Sequence, residues 1–281
     1  MVSDVLSYFQ AKSILSAHDA GSSSAVVSLD LGLTQTAVHL KEDYVVFPDG
    51  QRLSWVLLRE ILANELACYE INDNQIEKIH YFSQTFNRYY SLMPTNRAPT
   101  MLISGIPMHR IKNTDPTRDT LSKIKAITPM TGHVLDTTMG LGYTAIEAAK
   151  TAEQVTTIEL DPTVVEVCRH NPWSRGLFDN PSITRLVGDS YDLVEQFAAE
   201  TFTRIVHDPP MFNLAGELYS TAFYRQSLRI LRPSGRMFHY IGNPSRKSGR
   251  GTTRGAIRRL HEAGFRRVKP YPRAFGVVAY K

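Results

Sequence analysis

The sequence has few of the features that mark a secreted, membrane-bound or zinc-binding protein. Its two cysteines, Cys68 and Cys168, stand far apart and form no Cys-x-x-Cys or Cys/His ligand spacing. Neither a disulfide framework nor a metal site is therefore predicted. No run of eighteen apolar residues occurs, and the first twenty residues lack the basic-then-apolar order of a signal peptide. We expect a cytoplasmic protein with no membrane partner and no bound metal.

Acidic residues are scarce at one end of the chain. Residues 232–281 contain 13 Lys and Arg and a single acid, Glu262, which gives a net charge of +12. Residues 1–231 contain 19 Lys and Arg and 26 Asp and Glu, a net charge of −7. A solvated basic helix would also be positive, but a charge this concentrated favours a surface that binds nucleic acid.

Residues 1–112 are predicted to form a small α+β domain that guides substrate or forms a dimer interface. Helical spacing predicts helices over 4–18 and 55–66, the second capped by Ser54. Short extended stretches, among them 34–40 and 76–83, alternate with turn residues and predict small sheets.

One stretch of this N-terminal domain is rich in aromatic residues, namely Tyr81, Phe82, Phe86, Tyr89 and Tyr90. Such a cluster can stack on bases. More often it forms the core of a small sheet, and we predict that it does so here.

After Asn113-Thr-Asp-Pro116 the pattern changes, and residues 113–281 are predicted to form a second domain. It opens with a basic helix over 117–127. Strands are then predicted over 134–136, 154–159, 183–187, 203–207, 236–241, 265–269 and 274–280, and helices over 143–151, 162–170, 190–200, 215–231 and 252–264. This alternation is typical of an α/β fold, a Rossmann-like parallel sheet with helices on both faces.

Four features follow successive strands of this predicted sheet. Gly140-Leu-Gly142 follows the first strand, and Glu159 ends the second, nineteen residues after Gly140. Asp189 follows the third strand and Asp208-Pro-Pro the fourth. Each alone is common as a turn or helix cap. Together they indicate a nucleoside site at the carboxyl edge of the sheet, with Glu159 facing the ribose hydroxyls.

These motifs resemble those of the class I S-adenosylmethionine-dependent methyltransferases, whose seven-stranded sheet ends in a reversed strand. Asp136-x-x-x-Gly140-x-Gly142-x-Thr144 and Asp208-Pro-Pro-Met-Phe are similar to motifs of enzymes that methylate exocyclic base amines. The turn, the His207-Asp-Pro-Pro motif and Gly216–Tyr219 further resemble a family of predicted archaeal methyltransferases. Two departures are Thr137-Thr138 in the turn and Met211 after the prolines.

The resemblance implies that S-adenosyl-L-methionine is the cofactor. Its methionine part would lie at the glycine turn, its ribose at Glu159 and its adenine amine at Asp189. The implied cofactor-binding residues are Asp136, Thr137, Thr138, Gly140, Gly142, Tyr143, Thr144, Glu159, Leu160, Asp189, Ser190 and Asp208.

The resemblance also implies a catalytic group made of Asp208, Pro209, Pro210 and Phe212. An exocyclic amine is a weak nucleophile because its lone pair is delocalised into the ring. Asp208 and the Pro209 carbonyl can accept its hydrogens and turn the lone pair toward the methyl group. The prolines hold these acceptors rigid, and Phe212 would stack on the base.

The predicted partner is RNA, with ribosomal RNA favoured. A glycine-containing basic loop and the start of the helix after it supply the predicted RNA-binding residues Arg246, Lys247, Arg250, Arg254, Arg258 and Arg259. Cytidine N4 is the first expected target and guanosine N2 of transfer RNA the second. The alternatives are an aminopropyl transferase of the spermidine-synthase type and a non-catalytic RNA-binding protein.

Overall fold

The computed structural model describes residues 4–210, 215–243 and 247–281, with the backbone alone at 247–250. Contacts divide the chain into two compact units. Unit 1 comprises Met1–Thr117 with Thr163–Arg175, and unit 2 comprises Arg118–Pro162 with Gly176–Lys281. The domain boundary at 112 and 113 stays a prediction. In the described ranges, no helix has the length and apolar character needed to cross a membrane.

Unit 1 is built mainly from short antiparallel strands. Its elements before residue 113 are β1 (Val5–Ser7), α1 (Tyr8–Asp19), β2 (Ser24–Val27), β3 (Thr36–Leu40), β4 (Tyr44–Val46), β5 (Arg52–Ser54), α2 (Trp55–Ala63), β6 (Cys68–Asn72), β7 (Gln75–Lys78), β8 (His80–Ser83), β9 (Arg88–Met93), β10 (Thr100–Ile103) and β11 (Ile106–Pro107). Among the described residues they form sheets in the orders β2-β3-β4-β5, β1-β6-β7 and β11-β10-β9-β8. Helices α1 and α2 share one apolar core with the first two of these sheets, into which they bury Ile14, Leu58 and Ile61.

The helix predicted over 4–18 is wrong at its beginning. Val5–Ser7 is a strand that pairs with β6, and the helix begins at Tyr8. Ser7 explains the change, because its Oγ accepts from the Phe9 amide while Gln10 Oε1 accepts from the Ser7 amide. This capping box forces residue 7 out of the helix. The Ser54 cap predicted for α2 is confirmed by the Leu57 amide at 3.4 Å.

The predicted strand 76–83 is divided between two sheets, as β7 and β8. The aromatic cluster beside it is only partly core. Tyr90 is buried, whereas Phe82 and Tyr89 are exposed. Phe82 lies directly opposite Tyr89 on β9, so the two share one sheet face and Tyr90 lies on the other. The prediction that the cluster forms a core is therefore wrong for Phe82 and Tyr89.

The remaining elements alternate between helix and strand. They are α3 (Pro116–Lys125), β12 (His133–Asp136), α4 (Tyr143–Ala148), β13 (Gln154–Glu159), α5 (Pro162–Arg169), α6 (Gly176–Asp179), β14 (Ile183–Val187), α7 (Ser190–Gln196), β15 (Phe202–His207), α8 (Thr221–Ile230), β16 (Leu231–Tyr240), α9 (Lys247–Glu262), β17 (Arg267–Tyr271) and β18 (Gly276–Tyr280).

Within the described part of unit 2, seven strands form one sheet in the order β14-β13-β12-β15-β16-β18-β17. The first five are parallel, and β18 runs antiparallel to both of its neighbours. This order confirms the predicted Rossmann-like fold with a reversed final strand. It brings the carboxyl ends of β12, β13, β14 and β15 to one edge.

Several predicted helix bounds in unit 2 are wrong. The helix predicted over 215–231 is a 3₁₀ turn at Gly216–Tyr219 followed by α8, because Ser220 caps the Phe223 amide at 3.1 Å. The strand predicted over 236–241 already begins at Leu231. The helices predicted over 143–151 and 190–200 end at Ala148 and Gln196.

The basic loop predicted before residue 252 is also shorter than expected. Helix α9 begins at Lys247, so the backbone at Gly249, Gly251 and Gly255 is helical. Three glycines in one helix lower its intrinsic propensity. Tertiary contacts override that propensity, since Ala256 and Leu260 pack into the core of the sheet.

Candidate functional site

The glycine turn joins β12 to α4 in a conformation that requires glycine. Gly140 and Gly142 have φ angles of +52° and +75°, in the left-handed region. A Cβ added to Gly142 would lie 2.2 Å from the Leu177 side chain. The turn therefore leaves no room for side chains at this position, and Tyr143 and Thr144 begin α4 directly after it.

A buried carboxylate supports this turn from below. Asp136 is fully buried, and its Oδ2 accepts hydrogen bonds from Thr144 Oγ1 at 2.9 Å and Thr157 Oγ1 at 3.1 Å. Burial raises the pKa of Asp136 to about 7, although the two hydroxyl donors oppose the rise. The hydrogen bond between Asp136 and Thr144 thus stabilises the turn. Thr157 was not among the residues that the sequence singled out.

Glu159 lies beside the turn, as the spacing predicts. Its carboxylate accepts from the Gly140 amide at 2.9 Å and from the Asp161 amide at 3.1 Å. Burial raises the pKa of Glu159 to about 7, against the effect of these amides. The next side chain, Leu160, is exposed. A carboxylate and an exposed apolar side chain thus stand together at the end of β13.

Two more of the predicted cofactor-binding residues, Asp189 and Ser190, follow the end of β14. Asp189 caps α7 by accepting from the Tyr191 amide at 2.8 Å. Ser190 Oγ donates to the Thr137 carbonyl, which ties α7 to the glycine turn. The buried Thr138 Oγ1 has no hydrogen-bond partner among the described residues. A buried hydroxyl without a partner is costly and is available to a ligand.

Asp208 directly follows β15 and is paired with a lysine that the sequence did not single out as part of the site. Its Oδ2 lies 2.5 Å from Lys123 Nζ on α3, and the same ammonium lies 2.8 Å from Asp119 Oδ2. The Lys123 side chain is 3% exposed, that of Asp119 0% and that of Asp208 22%. Asp208 is thus the member of this buried group that reaches the surface of unit 2.

The two carboxylates of this group hold the Lys123 ammonium in its ionised form. Burial alone would lower the pKa of Lys123, but the Asp208 and Asp119 carboxylates raise it above its ordinary value. The only sequence signal was the four-residue spacing of Asp119 and Lys123, which places both on one side of a helix. Their partner lies 85 positions from Lys123 along the chain.

The segment around the two prolines is fixed by buried aromatic residues. Tyr219 donates its hydroxyl hydrogen to the Pro210 carbonyl at 3.0 Å. His207 bridges Thr137 Oγ1 at 2.7 Å and the Leu218 carbonyl at 2.9 Å. These contacts link the glycine turn, the end of β15 and the 3₁₀ turn. Pro209 is buried, and Phe212 lies outside the described residues.

The buried position of His207 predicts a loss of stability in acid. Burial lowers its pKa from 6.5 to about 4. Between these values the unfolded chain takes up a proton that the folded protein does not, so the folded state loses up to about 3 kcal/mol as pH falls. We expect the unfolding free energy of His207→Gln, measured in urea, to fall less steeply from pH 6.5 to 4. Equal slopes for the variant and the wild type would contradict this role.

The structure describes the side chains of three of the six predicted RNA-binding residues, Arg254, Arg258 and Arg259. Arg259 donates through Nε to the Tyr219 carbonyl at 2.7 Å and so anchors the 3₁₀ turn, and its role as an RNA contact stays a prediction. Arg258 pairs with Glu262 at 3.4 Å on the exposed side of α9, and Arg254 is exposed. Arg246, with the side chains of Lys247 and Arg250, lies outside the described residues.

Comparison with known proteins finds one family model and one relative that matches nearly the whole chain. Residues 106–238 match the family model described as "Conserved hypothetical protein 95". The chain is 42% identical over 277 residues to "Uncharacterized protein MJ1233" of Methanocaldococcus jannaschii, with 96% of this chain and 93% of that protein covered.

The chain is also similar, at lower identity or coverage, to enzymes named for polyamine synthesis. A polyamine aminopropyltransferase of Sulfolobus acidocaldarius is 30% identical over 113 residues, which cover 38% of this chain and 37% of that enzyme. The crystal structure of spermidine synthase from Thermotoga maritima superposes with a TM-score of 0.57 at 19% identity and covers 72% of this chain and 70% of that one. The identity is low enough that this structure is evidence for the fold alone.

The strand order and the structural similarity agree on the architecture, and the near full-length match identifies the relatives. The chain therefore belongs to the family of MJ1233 and has a class I S-adenosylmethionine-dependent methyltransferase-like fold of the spermidine-synthase-like type.

Proposed function

We propose that this protein is an RNA methyltransferase that transfers a methyl group from S-adenosylmethionine to an exocyclic base amine, with cytidine N4 of ribosomal RNA as the first expected target. The observation that carries the proposal is the environment of the Asp208 carboxylate. Its Oδ2 is bonded to the buried Lys123 ammonium, and its side chain is partly exposed. This arrangement suits a fixed hydrogen-bond acceptor.

The residues at the sheet edge fit an adenosyl cofactor. The positive φ at Gly140 is suited to a residue without a side chain, so a ligand could approach the backbone closely there. The unpartnered Thr138 hydroxyl supplies a polar contact, Glu159 an acceptor for ribose hydroxyls and the exposed Leu160 an apolar surface for an adenine ring. When bound, S-adenosylmethionine would supply an electrophilic methyl group on its sulfonium.

The role proposed for Asp208 is to orient the nucleophile. A base amine is neutral at physiological pH, so it needs acceptors for its hydrogens and does not need a strong base. The Asp208 carboxylate, held by Lys123, would accept one amine hydrogen, and the Pro209 carbonyl would accept the other. Tyr219, bonded to the Pro210 carbonyl at 3.0 Å, keeps this segment in place. As the N–CH₃ bond formed and the S–CH₃ bond broke, the sulfonium would leave as a neutral thioether. The carboxylate would stabilise the positive charge on the amine until one N–H proton was lost to solvent.

Aminopropyl transfer is a second candidate, supported by the similarity to the Sulfolobus acidocaldarius enzyme. An alkyl amine resembles a lysine side chain and is protonated at pH 7. It must lose that proton before it can attack, so its acceptor site has to supply a base. A carboxylate already bonded to an ammonium is a poor base for removing that proton. These points favour the base amine.

The decisive experiment offers the purified protein both cofactors and both acceptors. We expect methyl label from S-adenosylmethionine to enter RNA isolated from a strain that lacks this protein. Mass spectrometry of the nucleosides should then identify N4-methylcytidine. Methylation at guanosine N2 alone would show that the target base is guanosine and not cytidine. Transfer only from the decarboxylated cofactor to a polyamine would replace the proposal with the second candidate, and binding of RNA without any cofactor would indicate a non-catalytic protein.

A further inference from the structure

We propose that the exposed face of the β8–β9 hairpin binds single-stranded RNA by stacking its aromatic rings on unpaired bases. This inference rests on the proposed function, because it supplies a second contact for the same substrate. It concerns a surface of unit 1 that contains none of the residues at the edge of the large sheet.

Two aromatic rings form the centre of this face. Phe82 is 45% exposed and Tyr89 57% exposed, and they are directly opposed on neighbouring strands. Their ring centroids lie 4.9 Å apart. The exposed His80 ring lies 6.5 Å from that of Tyr89, with only 19° between the two planes. Large apolar rings exposed side by side are uncommon on a protein surface and mark interaction sites.

The rings are mounted on a rigid support. The opposite face of the sheet buries Tyr90 and Leu92. The backbone of Tyr89 is held by Ser104, whose amide donates to the Tyr89 carbonyl at 2.7 Å. The His80 ring is held by its contact with the Lys78 carbonyl at 3.1 Å. A platform that is ordered before binding loses little entropy when a ligand stacks on it.

The charge of the surrounding segment suits a polyanion. From His80 to Lys112 the sequence contains no Asp or Glu, whereas it contains four Lys and Arg residues. The rest of residues 1–112 contains 11 acids and five Lys and Arg residues. Phosphates that flank a stacked base would therefore meet no carboxylate from this segment. Aromatic side chains on an open sheet face are a common means of binding unpaired bases, and the four Lys and Arg residues of this segment can supply phosphate contacts.

The test measures binding of a fluorescent twelve-nucleotide single-stranded RNA by anisotropy. We expect the double variant Phe82→Ala/Tyr89→Ala to bind about ten- to a hundredfold more weakly than the wild type. Its salt dependence should be unchanged, because the phosphate contacts remain. Tyr89→Phe keeps the ring and should bind normally. Val56→Ala, which truncates another exposed apolar side chain of unit 1, serves as the matched control.

A second RNA in which several bases are replaced by abasic sites separates stacking from charge. The wild type should prefer the RNA with bases, and the double variant should lose most of that preference. Equal affinity of the double variant and the wild type would overturn the inference. The inference would also be overturned if light scattering showed that the wild type is a dimer and the double variant a monomer, while both bind RNA with the same affinity.

The outcomes also separate this inference from the proposed function. If the wild type methylates RNA and the double variant has the same KM for RNA, the stacking surface is wrong and the proposed function stands. A raised KM with an unchanged kcat supports both. If the wild type neither binds nor methylates RNA, both are wrong.

Discussion

Replacing Asp208 with asparagine is expected to lower the rate of methyl transfer to RNA by about a hundred- to a thousandfold. The variant keeps the size of the side chain but gives it one acceptor atom and one donor. Lys123 Nζ lies 2.5 Å from Asp208 Oδ2 and will hold the amide oxygen. The amide NH₂ would then face the substrate amine, and two donors cannot form a hydrogen bond. Single-turnover transfer at saturating RNA measures the change.

Cofactor affinity provides the necessary control for this variant. Because Gly140, Glu159 and Thr138 are unchanged, calorimetry should show binding of S-adenosylmethionine within a few fold of the wild type. Asp192→Asn, an exposed aspartate on α7, should leave both quantities unchanged. A rate above a tenth of the wild type in Asp208→Asn would remove this side chain from the reaction. Parallel losses of rate and cofactor binding would make it a cofactor ligand only.

The sheet was predictable because its signals are local. The strands β12, β13 and β15 are short and contain buried apolar residues, and each is followed at once by a turn, a cap or a helix. Parallel strands must then present their carboxyl ends together. Glu159 and the glycine turn therefore came together as predicted, with the Gly140 amide 2.9 Å from the carboxylate.

The buried partner of Asp208 could not be predicted in the same way. Helix α3 shows Lys123 among other basic residues, and nothing in its spacing indicates that this one is buried. Only the folded chain brings it to a carboxylate 85 positions away. Arg259 is the reverse case, since a basic residue that favoured an RNA contact is used to hold the Tyr219 carbonyl. Charge counts do not separate surface residues from those that satisfy buried backbone groups.

The prediction that the aromatic cluster forms a core was wrong for a different reason. Alternation along a strand assigns side chains to two faces, but it does not say which face is covered. Tyr90 and Phe82 have similar apolar character, and burial of one face left Phe82 and Tyr89 exposed. The decision depends on packing between elements that are distant in sequence, which no local pattern records.

The second large effect is expected from Lys123→Met. This change keeps the apolar stem but leaves the buried Asp119 carboxylate without its ammonium, 2.8 Å away in the wild type. Removal of one partner from a buried ion pair costs about 3 to 5 kcal/mol. We expect the unfolding free energy in urea to fall by about this amount. Lys125→Met, two positions along the same helix and exposed, should change it by less than about 0.5 kcal/mol.

A double variant separates the effect of Lys123 on stability from its effect on transfer. Asp119→Leu combined with Lys123→Met removes both buried charges, and Asp208, with its side chain 22% exposed, can still reach water. Stability should therefore recover by at least half, since an apolar pair of similar volume can replace a buried ion pair. Transfer should remain low, because Asp208 has lost the ammonium that holds it in position. Recovery of transfer together with stability would show that Lys123 serves folding alone, whereas a stable and inactive double variant would establish it as a positioning residue for Asp208.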